Sequence, residues 1–122
     1  VDTRTLTYGS GGHHPAYLVD ADKQSATPLG EPALMIGAIP GMEYESRQTT
    51  VPPGSSLYLF SDGVFEVEKA RDQWSLSDFV PLLTQPTQPG VSESNRLYMA
   101  VKEGTGPGPL DDDVSLLVVT FP

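Results

Sequence analysis

The fold is defined above all by one stretch of the sequence, Leu57-Tyr58-Leu59-Phe60-Ser61-Asp62-Gly63. Its four consecutive apolar residues predict a short strand that is buried on both faces. The strand ends at Asp62-Gly63, because Gly lets the chain turn away from the sheet. Just upstream, Val51-Pro52-Pro53-Gly54 predicts a tight turn, since Pro fixes φ and Gly accepts a positive φ. The sequence therefore predicts a central strand with an acidic residue at its C-terminal end.

A second apolar strand is predicted over residues 114–121, directly after the run Asp111-Asp112-Asp113. If the two strands are antiparallel neighbours, the end of the first and the start of the second share one sheet edge. Converging carboxylates repel each other unless a cation compensates them, so this arrangement predicts a divalent metal site. The spacing alone leaves two alternatives open, a simple turn at Asp62-Gly63 and a solvated loop at the triple Asp.

The remaining elements are predicted from weaker signals. Residues 5–8 and 16–19 read as strands, residues 44–51 read as an exposed strand, and residues 20–24 read as a hairpin tip. A first helix begins at the capping pair Ser75 and Asp78, and Pro81 is expected to keep it short or bent. A second helix covers residues 92–103, with Gly104 expected to stop it. Strands, then helices, then a strand predict an α+β fold built from antiparallel sheets.

Composition limits the possible functions. Sixteen acidic and seven basic residues give a formal net charge of -9, which disfavours binding to nucleic acid or to an anionic membrane surface. The chain has no Cys, so disulfides and thiolate metal sites are excluded. No apolar stretch approaches the roughly 20 residues of a membrane helix, and no signal-peptide pattern is present. We therefore expect a cytoplasmic location, with no membrane and no nucleic-acid partner.

Three segments occur in an order that is characteristic when they are taken together. They are Tyr8-Gly9-Ser10-Gly11-Gly12-His13-His14-Pro15-Ala16-Tyr17-Leu18-Val19, Leu57-Tyr58-Leu59-Phe60-Ser61-Asp62-Gly63-Val64-Phe65-Glu66 and Asp112-Asp113-Val114-Ser115-Leu116-Leu117-Val118-Val119. Together they resemble successive motifs of the metal-dependent protein phosphatase family (PPM, type 2C-like), in its bacterial stress-response and sporulation branch. The resemblance spans nearly the whole chain.

The resemblance implies a fold and a metal centre. The fold would be an antiparallel β-sandwich flanked by helices, in αββα layers, with two Mn²⁺ or Mg²⁺ ions at one end. Asp62 matches the metal-binding aspartate after the central strand, and Asp112 matches the aspartate that opens the final strand motif. Asp111 and Asp113 are possible secondary ligands, and Gly63 would leave room for ions and substrate.

A Gly-His signature of the family matches Gly12 and His13, which would shape the nearby loop without binding metal. The implied activity is hydrolysis of phosphoserine or phosphothreonine in a protein substrate, often an antagonist of an anti-sigma factor.

One departure from the family pattern bears on activity. The family takes further metal ligands from an N-terminal half, including an Asp in an Asp-x-x-Gly-His-Gly type motif, which this sequence lacks. We therefore interpret residues 1–122 as the C-terminal portion of a single, incomplete phosphatase domain that is inactive alone. Its partner would be the missing N-terminal half or a sensor domain. The alternatives are a non-catalytic regulatory or interaction domain on the same scaffold, and a generic acidic β-rich binding module.

Overall fold

The computed structural model describes residues 4–9, 12, 14–30, 39–41, 43, 46–65, 75–105 and 114–122. Its six strands are β1 Thr5–Tyr8, β2 Ala16–Val19, β3 Ala26–Leu29, β4 Arg47–Thr50, β5 Ser56–Phe60 and β6 Leu116–Thr120. Its two α-helices are α1 Leu76–Phe79 and α2 Glu93–Thr105. Two 3-10 segments, Asp62–Val64 and Val80–Thr84, follow β5 and α1.

The strands form two antiparallel sheets. One contains four strands in the order β3-β2-β5-β6, and the other pairs β1 with β4. The predicted strands at residues 5–8 and 16–19 therefore lie in different sheets, although only a short connector separates them in sequence. The α+β class with antiparallel sheets is confirmed.

The two faces of the four-stranded sheet pack against different layers, because successive side chains of a strand point to opposite faces. One face packs against the helices through a cluster of buried apolar residues, Tyr17, Val19, Tyr58, Phe60, Val64, Phe79, Leu83, Leu97 and Val101. The other face packs against the two-stranded sheet through Leu18, Leu29 and Val51, with Leu6, Tyr8, Leu57 and Phe121 at the margin. The described helices thus cover one side of a two-sheet sandwich.

Strand β5 departs from the expectation that it is buried on both faces. Tyr58 and Phe60 are buried under the helices, whereas Leu59 on the opposite face is 37% exposed. Its cross-strand partner Leu117 is 56% exposed. The second sheet packs over the Leu57 end of this face but leaves the Leu59 end uncovered.

The predicted turns are present and have identifiable causes. At the hairpin tip, the Asp20 carboxylate accepts hydrogen bonds from the backbone N–H groups of Gln24 (3.0 Å) and Ser25 (3.1 Å). In the turn before β5, Gly54 has a φ of 81°. A Cβ at this position would lie 2.9 Å from the Cβ of Ala21, so the turn requires Gly on two grounds.

The first predicted helix is confirmed together with its cap and its early end. Ser75 N–H donates to Asp78 Oδ2 at 2.8 Å within a capping box. One α-helical turn then tightens into the 3-10 segment that contains Pro81. Proline cannot donate the hydrogen bond that would continue the α-helix, which accounts for this change.

The second helix is longer than predicted. The Ser92 hydroxyl accepts a hydrogen bond from the Asn95 N–H (3.3 Å), consistent with the expected start. The helix then continues through Gly104, so the predicted stop at that residue is wrong. A Gly in a helix costs only about 1 kcal/mol relative to Ala, too little by itself to end one that is anchored by packing.

Candidate functional site

The candidate site lies where β5 ends beside the start of β6. The two strands are antiparallel neighbours, with Phe60 opposite Leu116. One step beyond this pair, Ser61 N–H donates to the Ser115 carbonyl at 2.9 Å. The Ser115 N–H donates in return to the Ser61 hydroxyl at 2.9 Å. The pairing that our sequence argument assumed is therefore present, and a side-chain oxygen replaces a main-chain carbonyl at its last step.

Asp62 combines an anchored backbone with an exposed side chain. Its carbonyl accepts a hydrogen bond from the Phe65 N–H at 3.0 Å, which closes the 3-10 turn. Gly63 and Val64 in that turn are buried, which holds the turn against the helical layer. The Asp62 carboxylate has no hydrogen-bond partner among the described residues. A carboxylate oxygen of this kind is the hard ligand that Mg²⁺ and Mn²⁺ prefer.

The other predicted site residues differ in what the structure says of them. Asp111, Asp112, Asp113 and His13 lie outside the described residues. The metal-binding role of the three aspartates and the loop-shaping role of His13 therefore stay predictions. Gly12 has a φ of 69°, a conformation that favours glycine. Gly63 lies in the 3-10 turn and does not have a positive φ. Its backbone conformation therefore does not require Gly, and any requirement for Gly would come from lack of space for a side chain.

His14 contacts the base of the Asp62 turn, a contact that we did not predict from the sequence. Its Nε2 lies 2.7 Å from the Phe60 carbonyl oxygen. Its ring stacks on the Phe60 ring at a centroid distance of 4.7 Å and meets Phe65 edge-on at 4.9 Å. Phe60 in turn packs on Phe79 at 4.6 Å. An aromatic cluster thus connects the turn to helix α1.

An open groove of about 330 Å³ adjoins the turn on the sheet. It is mainly apolar and is lined by Leu59, Phe60, Ser61, Ser115, Leu116 and Leu117. The candidate site therefore borders the uncovered part of the sheet face.

Two further features are absent from the described residues. No cluster of three or more His, Asp or Glu side chains capable of holding a metal ion occurs among them. None of the helices in this described part is both long and apolar enough to cross a membrane.

Solved structures resemble this fold closely. The SiaA-PP2C domain of Pseudomonas aeruginosa aligns with a TM-score of 0.78 at 20% identity, covering 98% of this chain and 47% of that one. The PP2C phosphatase domain of SpoIIE from Bacillus subtilis, solved with a fragment of its regulatory domain, gives 0.76 at 20% identity, covering 98% and 34%. The SpoIIE phosphatase domain presoaked with Mn, also from Bacillus subtilis, gives 0.62 at 19% identity, covering 96% and 56%.

These likenesses show a PP2C-type fold, and this chain spans between about a third and just over half of the length of the three solved chains. No curated protein sequence matches it. The family described as Stage II sporulation protein E (SpoIIE) matches residues 1–122. The chain therefore belongs to the SpoIIE family of PP2C-type phosphatases.

Proposed function

We propose that this chain is the C-terminal portion of a metal-dependent phosphoprotein phosphatase domain that hydrolyses phosphoserine or phosphothreonine. The observation that carries the proposal is the reciprocal pairing of Ser61 with Ser115. This pairing sets the Asp62 turn beside Ser115, which directly precedes β6 and lies two residues after Asp113 in the sequence. The Mn presoak of the related SpoIIE domain supports the choice of metal.

In this proposal Asp62 and Asp112 are metal ligands, with Asp111 and Asp113 as secondary candidates. Among the described residues, Asp62 suits that role. Its carboxylate is exposed and has no hydrogen-bond partner among those residues, and its backbone is held in place by the 3-10 turn. Divalent cations bound there would supply hydroxide near neutral pH and offset the charge of the phosphoryl group. The aspartates need not be nucleophiles, because their task is to hold the ions in place.

The partners follow from the same proposal. The substrate would be a phosphoprotein of the anti-sigma factor antagonist type, as the family resemblance implies. The remaining ligands would come from a part of the domain outside residues 1–122, because the solved relatives are two to three times as long as this chain. The chain alone is then expected to bind Mn²⁺ weakly and to hydrolyse phosphoserine peptides poorly or not at all.

The test maps the Mn²⁺ site on this chain. Because Mn²⁺ broadens the NMR signals of nearby nuclei, the amides of Asp62 and of residues 111–114 should broaden first as the ion is added. Asp62→Asn and Asp112→Asn should each abolish this localised broadening. Asp22→Asn removes an equal charge at the exposed hairpin tip and should leave it unchanged.

Either of two results would contradict the proposal. The first is broadening spread over the acidic surface with no centre at Asp62. The second is localised broadening that survives both Asp62→Asn and Asp112→Asn. Hydrolysis of a phosphoserine peptide, measured in parallel, shows whether the ligand set is complete. A regulatory domain on the same scaffold would bind its partner protein equally well with and without the metal.

A further inference from the structure

The hydrogen-bond ladder shows which way the Phe60 carbonyl points. Along an antiparallel strand, the backbone groups of successive residues face opposite neighbours. On β5, Ser61 N–H donates to Ser115 and the Ser55 carbonyl accepts from the Phe121 N–H, so odd-numbered residues face β6. Even-numbered residues therefore face β2, and the Phe60 carbonyl is directed to that side of the strand.

The natural donor for this carbonyl is missing. Strand β2 pairs with β5 in the register Val19↔Ser56 and Tyr17↔Tyr58. Two residues further on, the same register sets Pro15 opposite Phe60. Proline has no N–H, so the ladder cannot supply the hydrogen bond at this step. Phe60 is only 4% exposed, and a buried carbonyl that is left without a hydrogen-bond partner destabilises the fold.

The neighbouring side chain fills this gap. His14 Nε2 lies 2.7 Å from the Phe60 carbonyl oxygen. A carbonyl oxygen can only accept a hydrogen bond, so Nε2 carries the proton in this contact. We propose that His14 is a positioning residue, whose side chain supplies the donor that Pro15 lacks and thereby fixes the end of β5 from which Asp62 projects. This inference rests on the proposed function, because the consequence of fixing Asp62 is metal affinity.

Two clamps would then hold the last residues of β5, one at each edge. The Ser61–Ser115 exchange secures the β6 side, and His14 secures the β2 side through Phe60. Metal ligands need placement to within about 0.5 Å, and partners that orient a ligand typically contribute 10- to 100-fold to metal affinity. Loss of the His14 clamp would free the strand end to twist and displace the Asp62 carboxylate.

The experiment compares His14→Phe with His14→Gln. The Phe variant keeps a ring that can stack on Phe60 and removes the donor. The Gln variant loses the ring but carries an amide N–H near the position of Nε2. We expect His14→Phe to shift the amide signals of Asp62 and Gly63 in the metal-free protein and to weaken Mn²⁺ binding about tenfold. His14→Gln should restore Mn²⁺ affinity to within about twofold of the wild type.

The melting temperature of each variant separates positioning from simple stabilisation. If the Mn²⁺ affinity of the variants correlates with their melting temperature and does not depend on the presence of a donor at position 14, His14 only stabilises the fold and the inference is wrong. Unchanged amide signals in His14→Phe would also overturn it. If His14→Phe does not fold, the wild type still tests the inference. Neutral His14 must then carry its proton on Nε2, a tautomer that ¹⁵N chemical shifts identify. Failure of the wild type to bind Mn²⁺ would contradict the proposed function. The role of His14 would still be tested by the amide signals of Asp62 and Gly63 in the metal-free protein and by the tautomer of His14.

Discussion

Two carboxylates of this molecule stand in opposite environments. Glu93, at the start of α2, accepts hydrogen bonds from Lys23 Nζ, the Tyr58 hydroxyl and Arg96 Nε, each at 2.9 Å. Its side chain is 14% exposed. The Asp62 side chain is exposed, and its carboxylate has no hydrogen-bond partner among the described residues.

The partners of Glu93 make it the centre of a structural network. Lys23 also donates to the Gln85 carbonyl at 2.8 Å, and Arg96 donates to the Leu82 carbonyl at 3.0 Å. The network therefore joins the β2–β3 hairpin, the central sheet, the end of the 3-10 segment and α2. Burial opposes ionisation of Glu93, but the hydrogen bonds from Arg96, Lys23 and Tyr58 outweigh it and lower the pKa of the carboxyl to about 2. The same burial and the hydrogen bond to Glu93 raise the pKa of the Tyr58 hydroxyl.

The difference shows how to separate acids that serve the fold from acids available to a ligand. Glu93 is already compensated, so a cation would have to displace its three donors. Asp62 has a fixed backbone, and its carboxylate at the end of a strand is paired with none of the residues that the structure describes, so within that part of the chain its oxygens are available. Position in the fold and existing partners distinguish the two roles, whereas residue type alone does not.

The largest expected effect comes from removing the charge of the structural acid. Glu93→Gln leaves the Arg96 guanidinium, which is 5% exposed, without its counter-ion. We expect the free energy of unfolding to fall by roughly 3 kcal/mol, measured by urea denaturation. Asp62→Asn should change it by less than about 0.5 kcal/mol, as is usual for an exposed residue. Equal losses in the two variants would refute the division into structural and ligand-accessible acids.

The pH dependence of stability distinguishes the contribution of Glu93 from that of the other acidic residues. The pKa of Glu93 is lower in the folded chain than in the unfolded chain, so its stabilising effect is complete above about pH 4.5 and declines as the pH falls toward 2. Between pH 5 and 3 the wild type should lose roughly 1–2 kcal/mol that Glu93→Gln does not lose. Parallel pH profiles of the two proteins would show that the network does not depend on this ionisation.

Added Mn²⁺ tests whether the Asp62 carboxylate is available to a metal ion. A ligand that binds only the folded state at ten times its Kd stabilises it by about 1.4 kcal/mol. Thermal denaturation of the wild type should show such an increase, and Asp62→Asn should not. Asp22→Asn serves as the charge-matched control and should respond like the wild type. An increase of the same size in all three proteins would assign the Mn²⁺ to some other acidic group.

The smallest effect is expected at the β6 side of the strand end. Ser61→Ala removes the hydroxyl that accepts the Ser115 N–H. Because that N–H is at an exposed position where water can replace the hydroxyl, we expect a loss of only about 1 kcal/mol in stability. The chemical shift and hydrogen exchange of the Ser115 amide report on this bond directly. A protected, unshifted amide in the variant would show that the hydroxyl is dispensable.

The sequence predicted most of the fold because most of its signals are local. Apolar runs located β5 and β6, and the Ser75–Asp78 cap marked the start of α1. We did not predict β3, which contains Pro28, a residue that is disfavoured within strands. The structure puts β3 at the edge of the sheet, where the nitrogen of Pro28 faces outward and needs no partner in the ladder.

The candidate site could be predicted only in part, for a physical reason. The position of Asp62 at a strand end follows from neighbouring residues, and its proximity to β6 required only one assumed pairing. The contact of His14 with Phe60 joins residues 46 positions apart, and that of Lys23 with Glu93 joins residues 70 apart. Both depend on the register of strands or the docking of a helix, which no local pattern encodes.

The uncovered Leu59–Leu117 pair affects how the chain behaves in concentrated solution. Strand β6 is at the edge of the sheet, and Leu117 on it is 56% exposed. The net charge of -9 opposes association through this exposed apolar edge, because copies of the chain repel each other. That repulsion acts over only about 10 Å at 0.1 M salt and about 3 Å at 1 M. Salt, which usually weakens contacts between proteins that rest on ion pairs, should therefore promote self-association of this one.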